Sequence, residues 1–281
     1  MNSLLYKITA FYISHFKFPN RGEKYFSKFL KRNALISRSF RKKLHNGLFI
    51  NVKPDDHIQR IILWYGYYEK ENILFWEKLI NPDSVVIDIG ANIGYYTLIA
   101  AKKASEGHVH SFEPVTFNYD ALQKNIKLNN LKNITANNAG ISTKEGLDMY
   151  YISSKENIGM SGLKPAENFS GKMEEKTTLT LDNYVAINNL TKIDFIKIDI
   201  EGNELNALRG MQNVLQKNHP VLFIELLNEH LTKFDTTVKD VYGYLSLFNY
   251  KGYTISKENN LNPVTDNTED RMIIFSTNEL K

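Results

Sequence analysis

An apolar strand that runs into a glycine turn and then a helix, Val85-Val86-Ile87-Asp88-Ile89-Gly90-Ala91-Asn92-Ile93-Gly94-Tyr95-Tyr96-Thr97, leaves few architectures open to this 281-residue chain. A near-continuous apolar run reads as a strand covered on both faces, as in a parallel sheet. Gly90 and Gly94 permit a tight turn and let a ligand approach the backbone where a Cβ would obstruct it. Asp88, just before the turn, can accept hydrogen bonds from turn amides or hold the cationic amino group of a ligand through water; it can equally serve only to fix the loop.

From residue 84 onward, short β-branched runs alternate with longer helical patterns, the arrangement of parallel strands joined by crossover helices. The pattern predicts strands over 84–89, 108–112, 134–139, 194–200 and 221–226, and helices over 95–104, 117–129, 204–216 and 238–248. A closing strand pair is expected at 253–256 and 272–276, and a further short strand over 147–152. The polar stretch 153–176 shows no clear periodicity and reads as a loop on the substrate side.

The glycines are spaced Gly-x-x-x-Gly, which lacks the G-x-G-x-x-G pattern that admits a dinucleotide diphosphate. A nicotinamide-dependent oxidoreductase is thereby the weaker alternative. Glu113 ends the second predicted strand, 19 residues past Gly94. In strand–turn–helix nucleoside sites an acid about 20 residues on binds ribose hydroxyls, and adjacent strand ends face one crevice.

These residues resemble class I methyltransferases. The likeness sharpens in Lys197-Ile198-Asp199-Ile200-Glu201-Gly202-Asn203-Glu204, in Leu208-Arg209-Gly210 and in Pro220-Val221-Leu222-Phe223-Ile224-Glu225. With Thr180-Leu181-Asp182 and Gly66-Tyr67-Tyr68-Glu69, the chain is similar to the FkbM family of methyltransferases over about residues 60–276. The resemblance implies an α/β, Rossmann-like fold: a mostly parallel seven-stranded sheet flanked by helices, with S-adenosylmethionine as cofactor across the strand ends. It also implies O-methylation of a hydroxyl on a sugar, a glycan or a related metabolite. By position, Asp88, Gly90, Asn92 and Gly94 would surround the methionine part, Glu113 the ribose, and Asn138 and Ala139 the adenine. Glu69 would add a polar contact.

Asp199 falls at the end of the fourth predicted strand, across the crevice from the glycine turn, where class I methyltransferases put substrate and catalytic groups. Alignment of the acceptor oxygen does much of the work of an in-line methyl transfer, and a nearby base removes the hydroxyl proton. Asp199 is the first candidate for base or orienting group, with Glu201, Glu225 and His230 behind it and Lys197 able to pair with the carboxylates. Each has a plainer reading: Glu201 as a cap of the helix beginning near Asn203, Glu225 as a loop anchor, His230 as a satisfied surface histidine. A divalent metal on Asp199, Glu201 or Glu225 is admissible, but no spacing demands one and none is expected.

The basic residues are unevenly placed. Residues 1–50 hold eleven Lys and Arg against the single acid Glu23, a net of +10, so the overall +4 leaves −6 for the remainder. A basic end suggests an anionic partner. A nucleic-acid methyltransferase would use such an end, but enzymes of that kind commonly carry an Asn/Asp-Pro-Pro-aromatic motif where this chain has Asp199-Ile200-Glu201-Gly202, so nucleic acid is disfavoured. A non-catalytic scaffold stays open, because a fold does not establish an activity. Residues 1–60 are expected to form a basic helical extension ahead of a methyltransferase domain over 61–281. Leu4, Leu5, Ile8, Phe11, Tyr12 and Phe16 recur at helical spacing. A helical lid packed on the acidic body, helped by Phe11, Phe16, Phe18, Tyr25, Phe26 and Phe29, is favoured over peripheral contact with an anionic membrane. The absence of cysteine excludes disulfides, thiolate metal sites and a cysteine nucleophile, and fits a cytoplasmic location.

Overall fold

The computed structural model describes residues 3–15, 23–153, 161–165, 169, 171–256, 260–264 and 272–279. Phe16 and Phe18 of the predicted apolar set, and parts of the predicted 153–176 loop, lie outside the described residues.

The chain opens with α1 (Ser3–His15), α2 (Glu23–Arg32), a hairpin of β1 (Phe40–Lys43) and β2 (Phe49–Val52), then α3 (His57–Tyr65) and α4 (Lys70–Leu79). The N-terminal extension is therefore not wholly helical. Sequence supplies the helix ends of α3: the Asp56 carboxylate accepts the Gln59 N–H at 2.9 Å, and Gly66 closes the helix at φ +76°.

The main unit follows as β3 (Val85–Ile89), α5 (Tyr95–Lys103), β4 (His108–Phe112), α6 (Thr116–Leu128) and β5 (Ile134–Asn137). Next come β6 (Gly140–Ile141), β7 (Gly146–Ile152), β8 (Lys172–Leu179), α7 (Leu181–Ile187), β9 (Phe195–Ile198), α8 (Glu204–Arg209) and α9 (Gln212–Asn218). It ends with β10 (Val221–Glu225), α10 (Asn228–Leu231), α11 (Val238–Ser246), β11 (Lys251–Ile255), β12 (Leu261–Val264) and β13 (Met272–Ser276).

The large sheet has the order β12-β11-β13-β10-β9-β3-β4-β5. Its strands β5, β4, β3, β9 and β10 are parallel, and β13 runs antiparallel against β10. Eight strands stand where seven are expected, the addition being the edge strand β12 paired with β11. β3 is central, and the connections leave it in opposite directions, towards β4 on one side and β9 on the other. This is a Rossmann-like switch point, above which such sheets bind ligands.

Successive residues of one strand feed opposite faces of the sheet. Phe195 joins a core cluster with Val86, Val109, Phe223 and Ile274. Ile196 and Ile198 join the other, with Ile87, Ile89, Phe112, Leu222 and Ile224. Ile13, Leu30, Leu35, Phe40, Ile50 and Val52 are buried in the first cluster, so part of the N-terminal segment packs on the body.

Three departures from the expected elements shape the surroundings of the sheet's strand ends. The helix expected over 204–216 breaks into α8 and α9 at Gly210, where a Cβ would meet the Ser142 carbonyl oxygen at 2.0 Å; the chain must turn there to let two backbones pass. The strand expected over 134–139 stops at Asn137, and Gly140–Ile141 pairs instead with β8 in a separate sheet of order β6-β8-β7. The end of the predicted polar loop is strand β8, which pairs along its length with β7. Among the described residues no helix is long and apolar enough to cross a membrane.

Candidate active site

A cavity of about 330 Å³ opens at the carboxyl ends of the parallel strands. Gly90, Asn92 and Glu113 line one part of it, and Asp199, Glu201, Glu225 and His230 another. Sequence reasoning names all seven of these residues. Glu69, Asp88, Gly94, Asn138 and Ala139 are not among the lining residues.

The glycine turn is built by close approach. Gly90 lies at φ +83°, and a Cβ on it would sit 1.9 Å from the Asp199 carbonyl oxygen, because β3 and β9 run side by side into the site. Asn92 follows in the left-handed region at φ +50°. Gly94, at φ +93°, starts α5 with its α-carbon against Leu122; its role is to seat helix on helix rather than to face the cavity.

Glu113 ties the two strand ends together. The Asn92 N–H donates to its Oε2 at 2.7 Å and the Val115 N–H to its Oε1 at 2.9 Å. Burial pushes its carboxyl up to about 7 against these hydrogen bonds. Asn138 donates its amide to the Glu113 and Pro114 carbonyl oxygens at 2.8 and 3.1 Å, bracing this corner from outside. The wall expected from Asn138 and Ala139 is supplied instead by Gly140 and Ile141. The reason is the strand break after Asn137, which moves the wall two residues along the chain.

Asp88 is fully buried and accepts from the Thr97 hydroxyl at 2.5 Å, so it fixes the first turn of α5 rather than facing a ligand directly. Burial raises its pKa. Beneath the cavity, Lys197 is buried, donates to Asp199 Oδ2 at 2.9 Å and lies 4.8 Å from the centre of the Tyr96 ring. The Tyr96 hydroxyl donates to Glu69 at 2.8 Å. Glu69 therefore belongs to the charged network under the floor. Burial, and then Asp199, raise its pKa.

Asp199 and Glu225 hydrogen-bond each other; burial works to raise both carboxyls, yet their net shifts run in opposite directions. Burial works against the Asp199 carboxylate, yet Lys197 holds it below the usual carboxylate range. Glu225 is pushed well above that range, first by burial and then by Asp199, Glu201 and Glu69. The pair thus holds a proton on the Glu225 side while Asp199 stays ionised.

His230 is not a surface histidine. It is 8% exposed, and its Nδ1 lies 3.1 Å from Glu201 Oε2. Nor does Glu201 cap the following helix: Glu204 does the holding, accepting the Ile200 and Gly202 N–H groups at 3.1 Å each. Burial pushes Glu204 up to about 7.

Sequence reading does not single out Tyr68, Tyr150, Asn118 and Asn203, which also line the cavity. Tyr150 stands on a strand whose outward alternation gives no hint of a site. Ser161, Gly162 and Leu163 line it as well, which brings part of the predicted substrate-side loop to the site.

A sequence profile of the Methyltransferase FkbM domain matches residues 88–255. The hexuronic acid methyltransferase AglP of Haloferax volcanii is 31% identical over 192 residues, covering 66% of this chain and 74% of AglP. The 31-O-demethyl-FK506 methyltransferase FkbM of Streptomyces tacrolimicus is 25% identical over 160 residues, 48% of this chain and 62% of that one. Other curated relatives are spanned over 59% and 60% of their length. Among solved structures, the methyltransferase FkbM of Methylobacillus flagellatus superposes with a TM-score of 0.48 at 18% identity, covering 78% of this chain and 52% of that one. The profile spans the glycine turn, Glu113, Asp199 and Glu225 together, more than half of the sequence: this chain belongs to the FkbM-domain family of methyltransferases.

Proposed function

We propose that this protein transfers the methyl group of S-adenosylmethionine to a hydroxyl oxygen of a small-molecule or glycan acceptor. The observation that carries the reading is the placement of Glu113 and the Gly90 turn on one side of a single strand-end cavity, with Asp199 and Glu225 on another. A sugar acceptor draws support from the hexuronic acid methyltransferase relative, and an oxygen acceptor from the 31-O-demethyl-FK506 relative.

The residues present fit this cofactor. Beyond the Asn92 and Val115 N–H groups and the Asn118 side chain, the Glu113 carboxylate keeps one acceptor site for a ribose hydroxyl. Gly90 and Asn92 leave backbone open beside the methionine part, Asp88 holds the turn in place, and Ile141, in place of Asn138 and Ala139, offers the apolar adenine contact. Bound there, the cofactor supplies an electrophilic methyl group. Asp199 orients the acceptor hydroxyl as a hydrogen-bond acceptor and takes its proton. A weakly basic carboxylate suffices, because an oxygen that gains a carbon substituent becomes far more acidic. Lys197 keeps Asp199 ionised for this role, and the protonated Glu225 carboxyl hydrogen-bonds to it.

Calorimetric titration with S-adenosylhomocysteine and NAD in parallel tests the reading, followed by isotopic methyl incorporation into hydroxyl-bearing sugars. Binding of S-adenosylhomocysteine alone is expected; binding of NAD alone overturns it.

The basic N-terminal segment is further proposed to touch an anionic membrane surface from the cytoplasmic side. Its outer face leaves Ile8 58%, Phe11 60% and Tyr25 79% exposed, near the exposed Lys7, Lys24, Lys28, Lys31 and Arg32. Each cation near such a surface adds about 1 kcal/mol of attraction.

A further inference from the structure

Glu201, Glu225 and His230 come from three separate places: the turn after β9, the end of β10 and helix α10. Each offers one ligand atom, and the three atoms lie within 4.8 Å of one another. A single glycine makes the meeting geometrically feasible. Gly202 lies at φ +108°, and a Cβ on it would stand 2.2 Å from the His230 carbonyl oxygen. Any other residue there would push α10, and with it His230, away from Glu201.

All three side chains line the cavity, so the set is open on one side to whatever the cavity holds. The Lys197 ammonium beneath is bonded to Asp199. With the Glu225 proton released as the metal binds, two carboxylates and one imidazole form a mixed oxygen and nitrogen donor set, with carboxylate oxygen suited to Mg²⁺ and Mn²⁺ and imidazole to the later divalent ions. Three protein ligands leave positions for water or a substrate oxygen, the pattern of a catalytic rather than a structural metal.

We propose that Glu201, Glu225 and His230 hold a divalent cation, and that the acceptor hydroxyl binds to that cation beside Asp199. Metal coordination lowers the proton affinity of the bound oxygen, and Asp199 lines the same cavity to receive the proton. The metal's role rests on the hydroxyl-methylation reading; its binding does not.

The test uses the full chain, stripped with a chelator and titrated with Mn²⁺ by electron paramagnetic resonance. One Mn²⁺ per chain is expected at micromolar concentration. Glu225→Gln and His230→Gln should each weaken it at least tenfold. His108→Gln, at the start of β4 and the far end of the sheet, should leave it unchanged. S-adenosylhomocysteine binding measured on the same stripped protein separates the two readings. Mn²⁺ uptake only at millimolar concentration, with cofactor binding intact, overturns the metal site and leaves Glu201 and His230 as an ion pair. Loss of cofactor binding in the intact protein overturns methyl transfer instead.

Discussion

At Glu113 two demands meet in one carboxylate. It holds the Asn92 and Val115 amides, and burial still lifts it to about 7 from an ordinary value of 4.5. A raised carboxyl contributes stability that is complete below about pH 4.5 and is lost as pH rises through about 7, because the folded state then has to carry a buried charge. Glu204 behaves alike. Urea unfolding should therefore show stability falling between pH 5 and 8, and Glu113→Gln should shrink that fall. Cofactor affinity runs the other way, since ribose hydroxyls donate best to the ionised group. Calorimetry should find S-adenosylhomocysteine binding tighter at pH 8 than at pH 6. In Glu113→Gln it should be at least tenfold weaker, about 1.4 kcal/mol, and nearly independent of pH. Asp199 separates binding from turnover: Asp199→Asn should keep cofactor affinity within a few-fold and lower kcat by roughly 10². Near-normal turnover would make it a structural partner of Lys197 only.

Two glycines with the same backbone hand distinguish strain from contact among the elements. Gly66 ends α3 at φ +76° with nothing within 4 Å of its missing Cβ, whereas Gly90 leaves β3 at φ +83° with the Asp199 carbonyl 1.9 Å from that point. Gly66→Ala should cost only the backbone term, about 1 kcal/mol, or about 2–4 °C in melting temperature. Gly90→Ala must also separate β3 from the β9 turn. A melting shift more than twice as large is expected, together with loss of S-adenosylhomocysteine binding, both read by a thermal melt with and without ligand.

For the whole molecule, the N-terminal segment has an inner and an outer role that separate experimentally. Ile13, Leu30 and Leu35 are buried in the cluster that also contains Val86 and Phe223, so deleting residues 1–39 should lower the melting temperature. Ile8 and Tyr25 lie outside that cluster, and Ile8→Ser with Tyr25→Ser should leave melting unchanged. In co-sedimentation with anionic vesicles, the full chain should pellet at low salt and be released at high salt. The double variant should pellet several-fold less. Absence of pelleting in the full chain would leave the segment as packing alone.

What the sequence by itself determined was local in origin. The alternation of buried strands and helices, the Gly90 turn and Glu113 at the end of β4 follow from residue periodicity and covalent spacing, and the strand at 108–112 appears with its predicted bounds. The seven cavity-lining candidates were legible because a parallel sheet puts all its strand ends on one edge. Tertiary contact decided the rest. The strands β1, β2, β8 and β12 are short or mostly polar and are held by cross-strand pairing with a neighbouring strand, which no apolar period of their own encodes. Asp88 turns to Thr97, Gly140 and Ile141 replace Asn138 and Ala139 on the wall, and the helix breaks at Gly210 because the Ser142 carbonyl occupies the adjoining space. His230 reads as a surface residue from its neighbours in the chain. It is buried beside Glu201 because Gly202 lets two backbones meet, a closeness fixed by the packing of α10 against the β9 turn and by nothing within either segment.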